Sequence, residues 1–284
     1  MRIELENAGF VYQQGTAFEV PAVNGVSLVV GPGERVGIAG PVGSGKSSLL
    51  ALMSGIVPPD SGRLLVDGRP VAGGTRIERG SIGIAFQSPE NSLFEKTVYD
   101  DVAFAPRNLG VGRDEERRRV MAALAAVGLD RDQFGPRNPF SLSSGEQRRV
   151  ALAGVLALEP RLLLLDEPTA FLDPATRADI IGRLVELNRA HGMAMVIVGH
   201  DMDELAVFAE RLVIMDSGRV VADSPARKLL TDVTLLERHG LEPPGTVQLS
   251  RMITQKTGQH VEPALTEAEA LMQLKKLREQ GGSR

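Results

Sequence analysis

Gly40-Pro41-Val42-Gly43-Ser44-Gly45-Lys46-Ser47 fits the pattern G-x-x-x-x-G-K-[ST], and this stretch decides the fold of the chain. A β-rich run, Arg35–Ala39, precedes it, and residues 47–54 after it have the composition of a helix that Gly55 ends. Glycines let backbone N–H groups approach phosphate oxygens without a Cβ in the way, and a helix N-terminus adds the positive end of its dipole. A chance glycine-rich turn would not need this strand and this helix around it, so the stretch predicts a phosphate-binding loop.

Residue roles follow from this loop and from a second motif, Leu162-Leu163-Leu164-Leu165-Asp166-Glu167. Lys46 is expected to reach the β- and γ-phosphates of a nucleotide, and Ser47 to ligate Mg²⁺. A buried strand that ends in a carboxylate places that charge at the carboxyl edge of the sheet. There Asp166 would hold the metal and Glu167 would accept a proton from, or orient, the attacking water. The other contacts predicted for the nucleotide in the loop are Gly40, Gly43, Ser44, Gly45 and Ser48.

The composition is that of a globular protein and excludes several chemistries. Of the 284 residues, 43% are hydrophobic and 24% are charged. The net charge is −4, without the basic footprint that a nucleic-acid partner normally leaves, which argues against such a partner. The chain has no cysteine, which excludes disulfides, thiolate metal sites and thiol catalysis. No window approaches the roughly 20 apolar residues that cross a bilayer. If the protein works at a membrane, another chain must hold it there.

The pattern of residues typical of strands, turns and helices changes along the chain. Residues up to about 87 alternate short β-rich runs with glycine-rich turns, residues 88–150 are typical of helices, and strands alternate with helices again after 150. Continuous apolar strands between helices indicate a largely parallel sheet covered on both faces. Beyond about residue 236 a small appended subdomain is predicted, with a turn over 242–245.

Capping residues predict where several helices begin. Asp114 is expected to cap a helix that Gly128 closes, and Asp173 to cap the helix that follows the second motif. Two further pairs have the spacing of a capping box, in which two side chains cap each other's backbone: Asp201 with Glu204, and Thr266 with Glu269.

A third motif, Ser141-Leu142-Ser143-Ser144-Gly145-Glu146-Gln147, stands just before a predicted helix. Taken alone it is a helix N-terminus with a serine cap. Its place about twenty residues before Asp166 changes the interpretation. Ser143 and Gly145 can offer hydroxyl and backbone donors to a γ-phosphate, but their own pocket is filled by Lys46, so the phosphate would come from a second copy. The residues assigned to this contact are Ser143, Ser144, Gly145 and Glu146.

Three single residues complete the candidate site. His200 follows a predicted strand over 193–198 and could contact the γ-phosphate. Gln87 follows a strand over 81–86 and could touch Mg²⁺ or the water, and Tyr12 could stack on adenine. Each residue alone is more often structural than functional, and only its position in the set supports a role.

Taken in order, these motifs resemble the full motif set of ATP-binding cassette (ABC) ATPases over about residues 1–225. The resemblance implies an α/β fold of the P-loop NTPase class, with a mainly parallel sheet core, an antiparallel β part and a helical subdomain. It places an ABC ATPase domain over 1–235, its helical subdomain at about 88–150, and a small α-rich extension over 236–284. It also implies a head-to-tail dimer. ATP with Mg²⁺ would lie between the Lys46 loop of one subunit and the Ser143 segment of the other, with Asp173 at the dimer contact.

A narrower resemblance lies in residues 87–104, from Gln87 to Phe104, which are similar to the post-glutamine segment of energy-coupling factor ATPases. Residues 148–156 and the short extension are similar to the same group, whose members drive vitamin, cobalt and nickel importers. The resemblance implies that residues 87–104 grip cytoplasmic helices of a transmembrane scaffold protein. A separate substrate-binding membrane protein would carry the cargo, and this subunit would lie peripherally at the cytoplasmic face of the membrane.

The sequence departs from the family pattern at three positions, none of which removes a catalytic group, so hydrolysis is expected to survive. The signature has Ser144 where glycine is usual and Glu146 where glutamine is usual, and Phe171 is an unusual neighbour of Asp173.

Two other functions are alternatives to a transport motor. One is a non-transport ABC ATPase acting on nucleic acid or in translation, although such chains usually carry two cassettes, a coiled coil or a zinc insertion. A small-molecule phosphotransferase is another, but it would not need the Ser143 segment. The sequence names no cargo, and it allows either a homodimer or a dimer with a paralogue.

Overall fold

The structure is a computed structural model that describes residues 1–71, 77–87, 92–258 and 260–281, the last five of them by their backbone alone. Its strands are β1 (Ile3–Tyr12), β2 (Val20–Val30), β3 (Arg35–Ala39), β4 (Ser61–Val66), β5 (Arg69–Pro70), β6 (Ile82–Ala85), β7 (Leu162–Asp166), β8 (Ala194–Val198), β9 (Arg211–Asp216) and β10 (Arg219–Pro225). Its α-helices are α1 (Lys46–Ser54), α2 (Val98–Asn108), α3 (Arg113–Ala126), α4 (Arg131–Phe134), α5 (Ser144–Leu156), α6 (Pro174–His191), α7 (Met202–Phe208), α8 (Ala226–Leu230), α9 (Val233–Arg238), α10 (Gly245–Thr257) and α11 (Glu267–Gly281).

The strands form two sheets. The larger has the order β10-β9-β3-β8-β7-β6, in which β10 is antiparallel to β9 and the other neighbours run parallel. The smaller is antiparallel, with the order β2-β1-β4-β5. Every residue of β3, β7 and β8 is buried, as expected for parallel strands covered on both faces. The predicted mainly parallel core and antiparallel part are therefore confirmed.

Successive residues of the central strands belong to different hydrophobic cores. Leu162 and Leu164 of β7 pack with α1 and the antiparallel sheet, whereas Leu163 and Leu165 pack with the helices on the other face. This division follows from the two-residue period of a strand, which sends neighbouring side chains to opposite faces. The sheet is thereby fixed between two layers, and the loops at its carboxyl edge start from rigid strands.

A helical region lies between β6 and β7 in the chain. Buried residues of α2, α3 and α5, such as Val102, Val120 and Val150, share one core. The prediction that Asp114 caps a helix here is wrong. The helix α3 begins at Arg113 after Gly112, so Asp114 lies inside its first turn, where its charge still complements the helix dipole. Gly128 has a φ of 74° just beyond the end of α3, as expected for the residue that closes a helix.

Two predicted capping boxes are each half correct. Asp201 accepts hydrogen bonds from the N–H groups of Asp203 and Glu204 and so caps α7. The Glu204 carboxylate does not return to Asp201, because it accepts from the Thr169 hydroxyl and pairs with Arg177. The partners of the Glu204 carboxylate are therefore distant in sequence, and the local spacing does not predict them.

The same holds at α11. Thr266 accepts from the N–H of Glu269 at 3.2 Å, but the Glu269 carboxylate accepts from the N–H of Leu265 rather than Thr266. Glu269 also pairs with Arg227 of α8 at 2.6 Å. The carboxylate thus connects α11 to α8 instead of completing a box.

The C-terminal helices are attached to the sheet-bearing core through buried apolar residues, such as Leu236 and Val247, and through polar contacts. Asp203 of α7 accepts from the N–H of Gly245, the first residue of α10, at 2.9 Å. His239, directly after α9, lies 2.8 Å from Asp216, the last residue of β9. Among the described residues no helix combines the length and apolar character needed to cross a membrane.

Candidate nucleotide site

The loop between β3 and α1 is closely surrounded by backbone and accepts only glycine at two positions. Gly45 has a φ of 95°, and a Cβ there would lie 2.1 Å from the carbonyl oxygen of Ala22. At Gly40 a Cβ would lie 2.2 Å from the carbonyl oxygen of Met215. Strands β2 and β9 therefore hold the loop against the end of the sheet, in the strand–loop–helix arrangement that the sequence predicts.

Lys46 is the first residue of α1, and its ammonium group lies inside the loop. Its Nζ donates to the carbonyl oxygens of Gly40 and Pro41, both at 2.8 Å, and the residue is only 8% exposed. Burial lowers the pKa of Lys46, and the negative charges of Glu167 and Asp166 oppose this shift. The cation is thus held at the centre of the loop, with the two carboxylates of the second motif close enough to act on it.

Asp166 ends β7 and is 6% exposed. Burial raises its pKa, while a hydrogen bond from Ser47 and the charge of Lys46 act in the opposite direction. A carboxylate and a hydroxyl are oxygen donors of the kind that Mg²⁺ prefers, and Mg²⁺ is usually held by one or two protein groups together with phosphates and water. The described residues contain no cluster of three or more acidic or histidine side chains that would cage a metal alone. Ser47 and Asp166 therefore fit a Mg²⁺ ion that arrives with a nucleotide.

Glu167 meets two of the other predicted catalytic residues. Its carboxylate lies 3.2 Å from Nδ1 of His200 and 3.4 Å from Nε2 of Gln87. Its φ of 49° turns the chain at the end of β7, and its N–H donates to the carbonyl oxygen of Val198 in β8. The loops after β6, β7 and β8 thus converge on one carboxylate.

Tyr12 lies at the end of β1, beside the first turn of α1. Its hydroxyl is 3.1 Å from that of Ser48, and its ring packs edge-to-face on Phe10 with the centroids 4.8 Å apart. The tyrosine remains 47% exposed. Its position next to the phosphate loop is compatible with a base-stacking role, which stays a prediction.

The third motif starts α5. Ser143 is the N-cap, and Glu146 accepts from its N–H and hydroxyl, both at 2.8 Å, which lowers the pKa of Glu146. Ser144 begins the helix itself, in a conformation that tolerates its Cβ. A Cβ at Gly145 would meet the side chains of Leu172 and Thr176 at ordinary distances of 3.6 and 3.7 Å. In this chain the signature therefore lies against the segment that Asp173 ends, and Asp173 caps α6 as predicted.

Among the described residues, the hydrogen bonds that the side chains of residues 143–146 make stay inside this segment. The nearest charged neighbour recorded for Glu146 is Arg137, at 3.9 Å. Within the described part of the chain the segment makes no hydrogen bond to residues 40–48. Both donors of Ser143 are given to Glu146 and not to the phosphate loop of the same subunit, which is compatible with a segment that serves a second copy.

Sequence reasoning missed the polar groups that connect these loops. Arg177 of α6 pairs with Asp201, and also with Glu204 at 3.0 Å. Glu204 accepts from the Thr169 hydroxyl at 2.7 and 2.6 Å, and burial raises its pKa. Arg148 of α5 likewise reaches two loops at once. An arginine or glutamate on a helix carries no signal of its own in the sequence, because its partners are 22 to 61 residues away.

The predicted partner segment, residues 87–104, is described in part, since residues 88–91 lie outside the described residues. Phe94 and Phe104 pack edge-to-face with centroids 4.7 Å apart, yet they remain 55% and 41% exposed. Asp101 of α2 accepts from the N–H groups of Phe94 and Glu95 and fixes the loop to the helix. The result is an ordered aromatic pair at the surface.

The fold and these contacts define a nucleotide-hydrolysing cassette, and comparison with known proteins agrees. The family model described as "ABC transporter" matches residues 23–170, and the chain belongs to that family. It is accordingly an ATPase whose hydrolysis is coupled to transport. The predicted family and fold class are confirmed.

Individual relatives belong to a narrower group than the whole family. The chain is 45% identical to the energy-coupling factor transporter ATP-binding protein EcfA2 of Symbiobacterium thermophilum over 259 residues, covering 90% of this chain and 89% of that protein. It is 39% identical to EcfA2 of Clostridium perfringens over 260 residues, covering 90% and 91%. Among solved structures it is similar to cbiO1 of Clostridium perfringens, part of the ABC transporter complex cbiONQ. That structure gives a TM-score of 0.74 at 33% identity, and the match covers 90% of this chain and 98% of cbiO1. The ATP-binding cassette MJ0796, whose structure is dimeric, gives a TM-score of 0.71 at 31% identity and covers 79% and 99%.

Proposed function

We propose that this chain is the ATP-hydrolysing motor of an energy-coupling factor importer that takes up a vitamin or a transition-metal ion through membrane partners. The observation that carries the proposal is similarity along nine-tenths of the chain to proteins named EcfA2. The exposed pair Phe94 and Phe104 supports it, because ordered aromatic residues at a surface are typical of a protein contact.

Residues of one chain bind the nucleotide and prepare the water. Lys46 and the backbone N–H groups of its loop bind the phosphates. Ser47 and Asp166 would hold Mg²⁺, which would supply positive charge next to the phosphates. Glu167 accepts the proton of a water whose oxygen attacks the γ-phosphorus while the bond to the β–γ bridging oxygen breaks. His200 and Gln87 orient the Glu167 carboxylate from its two sides.

A second subunit completes the site in this proposal. Its Ser143 segment would supply hydroxyl and backbone donors to the γ-phosphate, at the positive end of the α5 dipole. ATP would then lie between two chains, and its binding would close the dimer that hydrolysis reopens. Support comes from the absence of hydrogen bonds between residues 143–146 and the phosphate loop within the described part of the chain, and from the dimeric cassette to which the chain is similar. A homodimer would have two complete sites, and a dimer with a paralogue is equally compatible.

The dimer would pass its motion to the membrane through residues 87–104. The subunit would lie at the cytoplasmic face of the membrane, held by a scaffold protein, and a separate membrane protein would bind the cargo. No nucleic acid is expected, because the net charge of −4 provides no basic footprint.

The test is affinity purification of the tagged chain from detergent-solubilised native membranes, followed by mass spectrometry. We expect a transmembrane scaffold and a small substrate-binding membrane protein to co-purify, and the latter would identify the class of cargo. The double variant Phe94→Ser/Phe104→Ser is expected to lose both proteins. Phe18→Ser, at an aromatic residue that is 76% exposed elsewhere on the surface, is the matched control and should retain them. Recovery of soluble proteins or nucleic acid alone would contradict the proposal and favour a non-transport ATPase.

A further inference from the structure

Arg148 lies on α5, five residues after the cap Ser143, and it is 4% exposed. Its guanidinium group donates to the carbonyl oxygen of Gln87 at 2.5 Å and also to that of Ala170. A buried guanidinium is costly unless its donors are satisfied, and the planar fork of arginine can serve two acceptors in fixed directions. One side chain thus joins the signature helix to two separate loops.

Both loops carry residues of the candidate hydrolytic site. The side chain of Gln87 contacts the Glu167 carboxylate, and the N–H of Ala170 donates to the carbonyl oxygen of Glu167 at 3.2 Å. Arg148 therefore holds the backbone on both sides of the contact between Gln87 and Glu167. A shift of α5 would move both loops.

The loop after β7 depends on such outside contacts. Phe171, directly after Ala170, has a φ of 64° and is 91% exposed, so its own side chain does little to fix this backbone. A left-handed conformation costs a non-glycine residue roughly 1–2 kcal/mol and persists when surrounding contacts determine it. The bond from Arg148 to Ala170 is such a contact.

We propose that Arg148 is a positioning residue for ATP hydrolysis. It sets the placement of Gln87 against Glu167 according to the position of the signature helix. This inference rests on the roles proposed above for Glu167, Gln87 and the Ser143 segment. Since the N-terminus of α5 would touch the nucleotide of the neighbouring subunit, Arg148 would make water activation in one site sensitive to the state of the other.

The test compares Arg148→Lys and Arg148→Gln with Arg149→Lys and Arg149→Gln in the full-length protein. Arg149 is the matched control on the same helix, and it bonds instead to Asp179 at 2.9 Å and to the carbonyl oxygen of Val127 at 3.1 Å. In the Arg148 variants we expect kcat to fall about ten- to a hundredfold, the loss that misplacement of a catalytic group causes, with KM for ATP within about twofold of wild type. The Arg149 variants should keep kcat, and melting temperatures and nucleotide affinity report folding independently.

A double-mutant cycle gives a readout that a purely structural role would not produce. In a Gln87→Ala background the correctly placed amide is already absent, so Arg148→Lys should lower kcat by less than about twofold. Unchanged kcat in both Arg148 variants, or kcat losses that multiply fully in the cycle, would overturn the positioning role. Normal turnover in Glu167→Gln and Gln87→Ala would overturn the proposed site roles and this inference together. Normal turnover in both Arg148 variants beside an inactive Glu167→Gln would overturn the inference alone.

Discussion

Nδ1 of His200 lies 3.2 Å from Oε1 of Glu167, and this contact joins the loops at the ends of two neighbouring parallel strands, β7 and β8. The opposite oxygen of the same carboxylate faces Gln87. Asp166, one residue earlier, is buried beside Ser47 and Lys46 instead. Adjacent carboxylates thus have different environments, and they should respond differently to substitution.

Glu167→Gln should bind ATP but hydrolyse it at least about a hundredfold more slowly, because an amide cannot accept the proton of the attacking water. The phosphate loop is untouched, so nucleotide affinity should stay within a few-fold of wild type. Steady-state turnover, equilibrium binding and gel filtration with ATP test this, and the variant should elute as a dimer. Hydrolysis at the wild-type rate would show that another residue activates the water.

Asp166→Asn should make the nucleotide-free protein more stable at neutral pH while abolishing hydrolysis. Burial raises the pKa of Asp166 above its ordinary 3.8, so the native carboxyl binds its proton more tightly than the unfolded one. Stability is therefore lost as pH rises from 3.8 through the raised value, and asparagine removes that loss.

The control for this prediction is Asp173→Asn, for which we expect the opposite change in stability at neutral pH. Bonds from Thr176 lower the pKa of Asp173, so its contribution is present above pH 3.8 and is lost as pH falls through the lowered value. Melting temperatures of both variants, measured from pH 4 to 8 without nucleotide or Mg²⁺, should change in opposite directions relative to wild type at neutral pH. A lower melting temperature for Asp166→Asn would contradict the burial argument.

Gly45→Ala should abolish ATP binding and lower the free energy of unfolding by more than about 2 kcal/mol, since it combines a left-handed backbone with overpacking. The added Cβ would lie 2.1 Å from the backbone oxygen of Ala22. Gly192→Ala is the matched control, because its φ of 62° is also left-handed but no atom lies within 4 Å. It should cost about 1 kcal/mol and leave ATP binding intact. Urea denaturation and nucleotide titration distinguish the two, and equal losses would show that backbone strain alone is responsible.

Ser143→Ala should reduce turnover by more than tenfold, on the scale found for the loss of a preorganised transition-state donor, and cost about 1 kcal/mol of stability for the lost cap. Asp232→Ala removes the N-cap of α9 at a distance from the nucleotide site and should cost a similar stability without loss of turnover. Chemical denaturation and ATPase assays on both variants check this. Full turnover in Ser143→Ala would favour a phosphotransferase that works without the signature segment.

Local patterns were sufficient for much of the site. The loop at 40–47, the buried strand ending at Asp166, a serine cap in the third motif and the cap Asp173 all lie where the sequence predicts them, because short-range geometry and apolar periodicity determine each of them. The meeting of Gln87, Glu167 and His200 also follows from the sequence, once parallel strands are known to end at a common edge.

Long-range polar contacts could not be predicted in the same way. Glu204 has the spacing of a capping box with Asp201, yet Thr169 and Arg177 take its carboxylate. Arg148 has the sequence context of any polar position on a helix, and its acceptors are backbone carbonyls that carry no residue identity. Such contacts depend on how separate elements pack, which one sequence without its fold does not specify.

The turn after β7 contains two non-glycine residues with left-handed backbone, Glu167 at 49° and Phe171 at 64°. Each stores roughly 1–2 kcal/mol of conformational energy that neighbouring contacts must offset. Strand β7 before the turn and helix α6 after it carry no such residue among those described. Amide hydrogens of residues 169–172 are therefore expected to exchange with solvent sooner than those on either side. Local unfolding of this turn would let the subunit change conformation while its hydrophobic core remains folded.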